Sequence, residues 1–177
     1  MPSTTTTHTH TNGLHVPADG GEAVWFTQNR MTIKATAQDT RGAFGLVEGL
    51  GAAGSSPPLH VHSREDELLY LLEGELTIRC GERTFAAAPG SLTVLPRGVP
   101  HTFVVEGDTP ARLLSISVPG GFERYFAEAG RPAEGDGLPP AGPPDVARLR
   151  EVGERYGLAL VGPPLAPRGR AEALSAG

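Results

Sequence analysis

From Glu22 to Val118 the chain reads as short apolar or alternating runs, at 23–27, 31–37, 43–49, 59–62, 67–72, 75–80, 83–87, 92–95, 101–105 and 111–118. Gly, Pro and Asp punctuate these runs at intervals suited to antiparallel strands, so the pattern predicts an all-β sandwich or barrel. Glu73-Gly74 and Cys80-Gly81-Glu82 are the plainest hairpin signals. The run 67–72 is apolar at odd and even positions alike, which predicts a strand covered on both faces. Tyr70 is then expected in an outer layer or a subunit contact.

Beyond Val118 the period changes. Phe122 to Ala129 predicts a short helix closed by Gly130. A Pro- and Gly-rich stretch over 131–144 predicts an irregular linker. Asp145 is an N-cap candidate for a second helix reaching Tyr156, with Val146, Leu149, Val152 and Tyr156 along one stripe. Such a helix would pack on the outside of the barrel or form a lid over its mouth. Residues 1–20 are polar and turn-rich and predict a flexible tail. The expected organisation is a tail over 1–20, a barrel over 21–120 and a helical extension with a Pro/Gly linker over 121–177.

Composition narrows the partners. A chain of 177 residues is long enough to bury its own core as one domain. Its 24 glycines and 17 prolines suit many tight turns and work against a long helical bundle. Fifteen basic against twenty acidic residues leave a net charge of −5, with no basic block to meet a phosphate backbone, so nucleic acid is not expected. No run approaches the ~18 apolar residues of a membrane span. Cys80 is the single cysteine, so no intrachain disulfide can form, and a buried structural thiol is expected. Met1 to Gly13 holds no apolar stretch of a secretory leader, and a cytoplasmic protein is the expectation. No Gly-rich phosphate loop and no GxSxG elbow competes for the chemistry.

That chemistry lies between residues 54 and 105. His60 and His62 are two apart, which in a strand puts both imidazoles on one face. Glu67 opens the next apolar run, and His101 follows the turn Pro96-Arg97-Gly98-Val99-Pro100. Three neutral imidazoles and one carboxylate suit a divalent transition metal and leave coordination positions open. Fe, Mn, Ni, Co and Zn are all compatible with that donor set. His8 and His10 share the two-residue spacing, but they sit in a Thr-rich tract without a carboxylate or an apolar strand and read as tail. If Glu67 points inward, Leu69 and Leu71 share its face; if His101 does, so do Phe103 and Val105. These four would wall a small-molecule pocket. Phe44, Leu46, and Phe122 or Phe126 from a lid are further wall candidates, although plain packing accounts for each. Arg64, Arg97, Glu65 and Asp66 lie beside the motifs and are expected to stay solvated.

The spacing of these residues closely resembles the cupin superfamily. Its first motif, glycine, five residues, His-x-His, three or four residues, Glu, six residues, glycine, is matched by Gly54, His60, His62, Glu67 and Gly74. Its second, glycine, five residues, Pro-x-Gly, two residues, His, three residues, Asn, is matched by Gly90, Pro96, Gly98 and His101, with Val105 in place of the Asn. The resemblance implies a double-stranded β-helix, the jelly-roll cupin barrel, with one or two C-terminal helices. It also implies one divalent metal held by His60, His62, Glu67 and His101, and a homodimer. The stretch Pro57 to Glu67, with Pro96 to His101 and Gly107 to Arg112, looks like small single-domain bacterial cupins related to quercetin dioxygenase. That likeness implies an oxygenase acting on a small enolic or aromatic substrate, with Glu67 both ligand and general base. The alternatives are a non-redox metal cupin (isomerase, cyclase, dehydratase or lyase, as in natural-product biosynthesis) and a cupin that binds a small ligand. All three use the same ligands, so the motifs do not separate them.

Overall fold

The structure, a computed structural model, describes residues 13–168. The His8 and His10 pair lies outside the described residues. The strands are β1 (Glu22–Phe26), β2 (Asn29–Ala35), β3 (Gly45–Gly51), β4 (Pro58–His62), β5 (Asp66–Glu73), β6 (Leu76–Cys80), β7 (Arg83–Ala87), β8 (Leu92–Leu95), β9 (His101–Val105) and β10 (Ala111–Val118). After them come helix α1 (Glu123–Ala129), strand β11 (Arg131–Pro132), helix α2 (Val146–Arg155) and strand β12 (Leu158–Pro164). Each apolar run of the sequence becomes a strand. A seven-stranded sheet has the order β11-β1-β2-β3-β10-β5-β8, and a five-stranded sheet the order β12-β4-β9-β6-β7. All pairings are antiparallel. This is a double-stranded β-helix with helices added after the barrel.

Strand period sets the inner face. In β5, Glu67, Leu69 and Leu71 are buried in alternation, and in β10 Ala111, Leu113, Ser115 and Ser117 are. One apolar cluster gathers Leu69, Leu71, Leu76, Ile78, Leu95 and Leu113. Leu71, Leu76, Ile78 and Leu95 are each 1% exposed, and each such burial contributes about 1.5–3 kcal/mol. A second cluster joins Val24, Met31, Ile33 and Val47 to Phe122, Tyr125 and Phe126 of the α1 region and to Leu149, Val152 and Leu158. The helices therefore complete the core rather than decorate it.

Several local expectations change. Cys80-Gly81-Glu82 does form the β6–β7 hairpin, with Cys80 opposite Arg83. Glu73-Gly74 does not form one: β5 pairs with β10 and β8, and β6 with β9 and β7, so the turn carries the chain from one sheet to the other. Gly74 has φ 84°, and a Cβ there would meet the Ala111 Cα at 2.8 Å. Gly130 closes α1 in an extended conformation with φ −84°, not the left-handed cap its position suggests. A side chain at Gly130 would strike the Phe126 carbonyl oxygen at 2.7 Å, so close approach accounts for the glycine. Asp145 caps α2 as expected, accepting from the Arg148 N–H at 3.0 Å. The extension is not wholly helical, since β12 adds a strand beside β4. Cys80 is only partly buried; burial still pushes its thiol pKa upward, which keeps it a poor nucleophile. Among the described residues, no helix is long and apolar enough to cross a membrane.

Candidate metal centre

Strand β4 delivers His60 and His62 to the barrel interior, and β9 delivers His101 directly opposite His60. Glu67 enters from β5 of the other sheet. His60 is 8% exposed, His62 1%, Glu67 8% and His101 1%, and their ligand atoms all lie within 4.8 Å of one another. The His101 and His62 Nε2 atoms stand 3.2 and 3.8 Å from Glu67 Oε2. The His62 and His101 rings stack at 5.2 Å with 5° between their planes, and the Phe122 ring sits edge-on to His62 at 4.3 Å.

Each imidazole is fixed at its other nitrogen. His60 Nδ1–H donates to the Pro58 carbonyl at 2.7 Å, His101 Nδ1–H to the Val99 carbonyl at 3.0 Å, and His62 Nδ1–H to Glu65 Oε1 at 2.6 Å. Such bonds choose the tautomer that leaves Nε2 as the ligand atom. His62 Nε2 is buried and has no hydrogen-bond partner among the described residues. Glu67 is oriented the same way: Ser115 Oγ donates to Oε1 at 2.7 Å, and Oε2 is left facing the imidazoles. A donor set of three nitrogens and one oxygen, each tethered from behind and converging in a buried space, fits a divalent metal ion.

Electrostatics agrees with that use. Burial, helped by the neighbouring His101 and His62, lowers the His60 pKa to about 4, so its ring is neutral at pH 7 with a lone pair to offer. Burial alone would raise the Glu67 carboxyl, but the His101 hydrogen bond and the adjacent imidazoles hold it well below the usual carboxylate range. Burial also works against a charged His101, yet the bond to Glu67 outweighs it and raises the pKa.

One expectation about a neighbouring charge is corrected. Glu65 is not a solvated turn residue: it is 4% exposed and orients His62. The turn folds back after His62, so a residue three positions on reaches the ring. Arg64 and Arg97 are exposed as expected and Asp66 partly so, and all three are also tied by hydrogen bonds. Asp66 accepts from Arg97 N–H, Nε and Nη2 at 2.9–3.1 Å, while Arg97 Nη1 donates to the Arg64 carbonyl. Arg64 in turn donates to the Arg155 carbonyl at the end of α2. These bonds pin the loops that carry the ligands.

A cavity of about 360 Å³ opens beside the cluster and includes His60, His62 and Glu67 in its wall. Of the four expected wall residues, Leu69 and Phe103 line it, whereas Leu71 and Val105 lie in the apolar core and are not among its lining residues. Phe44 is 39% exposed, and neither it nor Leu46 lines the cavity. Phe122 and Phe126 line it while packing in the core, and α2 contributes Val146 and Leu149. Helix α2 therefore packs on the core and also contributes to the cavity wall. Sequence reasoning missed Phe26, Met31, Tyr125 and Leu158 in the wall. The available signal was Gly49 and Gly51, which fall on the inward face of β3 and leave the space open.

A Cupin domain family profile matches residues 49–117, the segment that carries all four ligands. Over that segment the chain matches the cupin domain family. It is 26% identical over 130 residues to the quercetin 2,3-dioxygenase of Bacillus subtilis (strain 168), a match covering 73% of this chain and 38% of that enzyme. It is 30% identical over 74 residues to an uncharacterized protein of Methanocaldococcus jannaschii, covering 42% of this chain and 59% of that one. The chain thus spans less than two thirds of the length of both curated relatives. Among solved structures it resembles a predicted oxalate decarboxylase from Thermotoga maritima, with TM-score 0.57 and 18% identity over 60% of this chain and 99% of that one. It also resembles a sugar phosphate isomerase of the cupin superfamily from Silicibacter pomeroyi, with TM-score 0.51 and 21% identity over 59% of this chain and 75% of that one. At these identities the two structures establish the fold.

Proposed function

We propose that this chain is a metal-dependent enzyme acting on a small enolic or aromatic substrate, with quercetin dioxygenase-like oxygenation as the reaction. The observation that carries the reading is the composition of the cavity around the ligand cluster. Phe26, Phe103, Phe122, Tyr125 and Phe126 form its wall, and no Lys or Arg is found among the described residues that line it. An aromatic wall suits a flat, neutral molecule, whereas an anionic dicarboxylate or sugar phosphate would call for cationic partners.

A divalent transition metal bound by His60, His62, Glu67 and His101 would supply Lewis acidity and open positions for an enol oxygen and dioxygen. The chain's own residues do the rest. Glu67 stays ionised, with Ser115 holding Oε1 and Oε2 beside the imidazoles at the cavity wall, so it can take the enol proton at a fixed position. The aromatic walls orient the substrate and keep water away from the reacting centre. The deciding experiment is metal analysis of the purified protein followed by oxygen-electrode measurement with flavonols. Uptake that depends on flavonol and metal supports the reading. Turnover of an enolisable substrate without oxygen consumption would move it to isomerase, cyclase, dehydratase or lyase chemistry.

The reading includes a homodimer. Tyr70, Leu92 and Val94 are 38%, 56% and 54% exposed on β5 and β8, at the end of the seven-stranded sheet. Covering that edge with a second copy would bury an apolar face and protect unpaired backbone groups. A monomer by light scattering at high concentration would remove this part.

A further inference from the structure

Among the described residues, two buried side-chain polar atoms lack a hydrogen-bond partner: His62 Nε2 and Ser55 Oγ. Both residues line the same cavity. Buried polar atoms are nearly always satisfied, so an orphan in a cavity wall calls for a ligand. The metal accounts for His62 and leaves Ser55.

Ser55 is 4% exposed, and its backbone is fully engaged. Its N–H donates to the Ala52 carbonyl at 2.9 Å, and its carbonyl accepts from the Val105 N–H at 3.0 Å. The residue is therefore fixed, with only the hydroxyl unused. Gly51 lies beside it in the wall, where a Cβ would stand 3.4 Å from Ser55 Oγ and 3.0 Å from the Val105 side chain. The missing side chain leaves the space next to the hydroxyl unfilled. Asn29 lines the cavity as well, and its Oδ1 accepts from the Ala52 N–H at 3.1 Å, which leaves the NH2 group as its donor. A small polar end is thus built into an otherwise apolar chamber.

Strand register gives its distance from the metal centre. His101 faces His60, and Val105, bonded to Ser55, lies farther along the same strand. At about 3.3 Å per residue the two backbone positions are roughly 13 Å apart. Phe103 and Leu69 line the wall of the same chamber. We infer that Ser55 is a specificity-determining residue that hydrogen-bonds a hydroxyl or carbonyl oxygen at the substrate's end remote from its chelating oxygens, so that the substrate class is a multi-ring aromatic enol carrying a distal polar group. This rests on the aromatic-enol reading above.

The test is calorimetric affinity of the metal-loaded protein for 3-hydroxyflavone and for its 4′-hydroxy and 7-hydroxy analogues, in wild type and Ser55→Ala. At least one added hydroxyl should tighten binding to the wild type by roughly three- to tenfold, the worth of one neutral hydrogen bond. Ser55→Ala should abolish that advantage and leave 3-hydroxyflavone unchanged, which also certifies the variant's fold. An advantage that survives in Ser55→Ala, an equal loss for all three compounds, or no advantage in the wild type overturns the role of Ser55 while leaving the aromatic-enol reading standing. Failure of the wild type to bind any of the three overturns both.

Discussion

Glu65 Oε1 accepts a hydrogen bond from His62 Nδ1 at 2.6 Å, with both side chains buried. A carboxylate behind an imidazole fixes the tautomer, stops ring rotation and makes the far nitrogen a better donor. Glu65→Ala should therefore weaken metal binding by about 10–100-fold with the fold intact, measured by competition against a chromogenic chelator. Unchanged affinity would reduce Glu65 to a packing residue.

His101 tests the site as a whole. It comes from a strand distant in sequence from His60 and His62, so its contribution depends on the barrel bringing β4 and β9 together. One divalent ion per chain is expected. His101→Ala should lower the bound metal markedly, and His8→Ala should not. Equal loss from both substitutions, or none from either, by elemental analysis would place the metal elsewhere.

How far these residues could be read in advance depended on how local their signals are. His60, His62, Glu67 and His101 were legible because strand period fixes faces within a few residues, and turn glycines and prolines fix the spacing. Glu65 was not, because a carboxylate in a turn is solvated by default and nothing local shows the chain folding back. Leu158–Pro164 was missed for a related reason. Gly162, Pro163 and Pro164 read as breakers, yet β12 lies at the edge of its sheet and absorbs them through two register shifts. Gly74 was misread because a left-handed glycine announces a turn without naming the strands it joins. Cavity walls such as Met31 and Tyr125 come from elements that meet only in three dimensions, so their hydrophobicity alone gave packing and not position.

The metal-free protein should lose stability as the medium becomes acidic. His60 has its pKa depressed from 6.5 to about 4, chiefly by burial. Between those values the unfolded chain takes up a proton that the native site resists, so stability rises with pH through this window and falls on acidification. The full difference corresponds to about 3 kcal/mol at most. Glu67, whose pKa is also depressed, adds a loss in the same direction at still lower pH, below its ordinary range. His101 has a raised pKa, so its contribution is present at low pH and fades as pH climbs above the ordinary histidine value. Urea unfolding of chelator-treated protein between pH 4 and 7 reads the balance. His60→Asn should flatten the slope, and an unaltered slope would mean that His60 is not the group being held neutral.

Glu67 carries the sharpest chemical claim, because ligand and base roles coincide in one side chain. Its Oε1 is held by Ser115 and its Oε2 faces the imidazoles, so Glu67→Gln can keep the shape and one coordinating oxygen while losing the ability to accept a proton. With His60, His62 and His101 still tethered at Nδ1, most of the metal should remain. Turnover of any enolisable substrate should fall by roughly 10²–10⁴-fold, the usual worth of a positioned general base. The loss should appear in kcat more than in KM, since the aromatic wall that binds the substrate is untouched. Metal content and turnover measured on one preparation separate the roles. If metal and near-normal turnover both survive, Glu67 serves only as a ligand, the proton must leave by another group, and Lewis-acid isomerase or cyclase chemistry becomes the better account of the site.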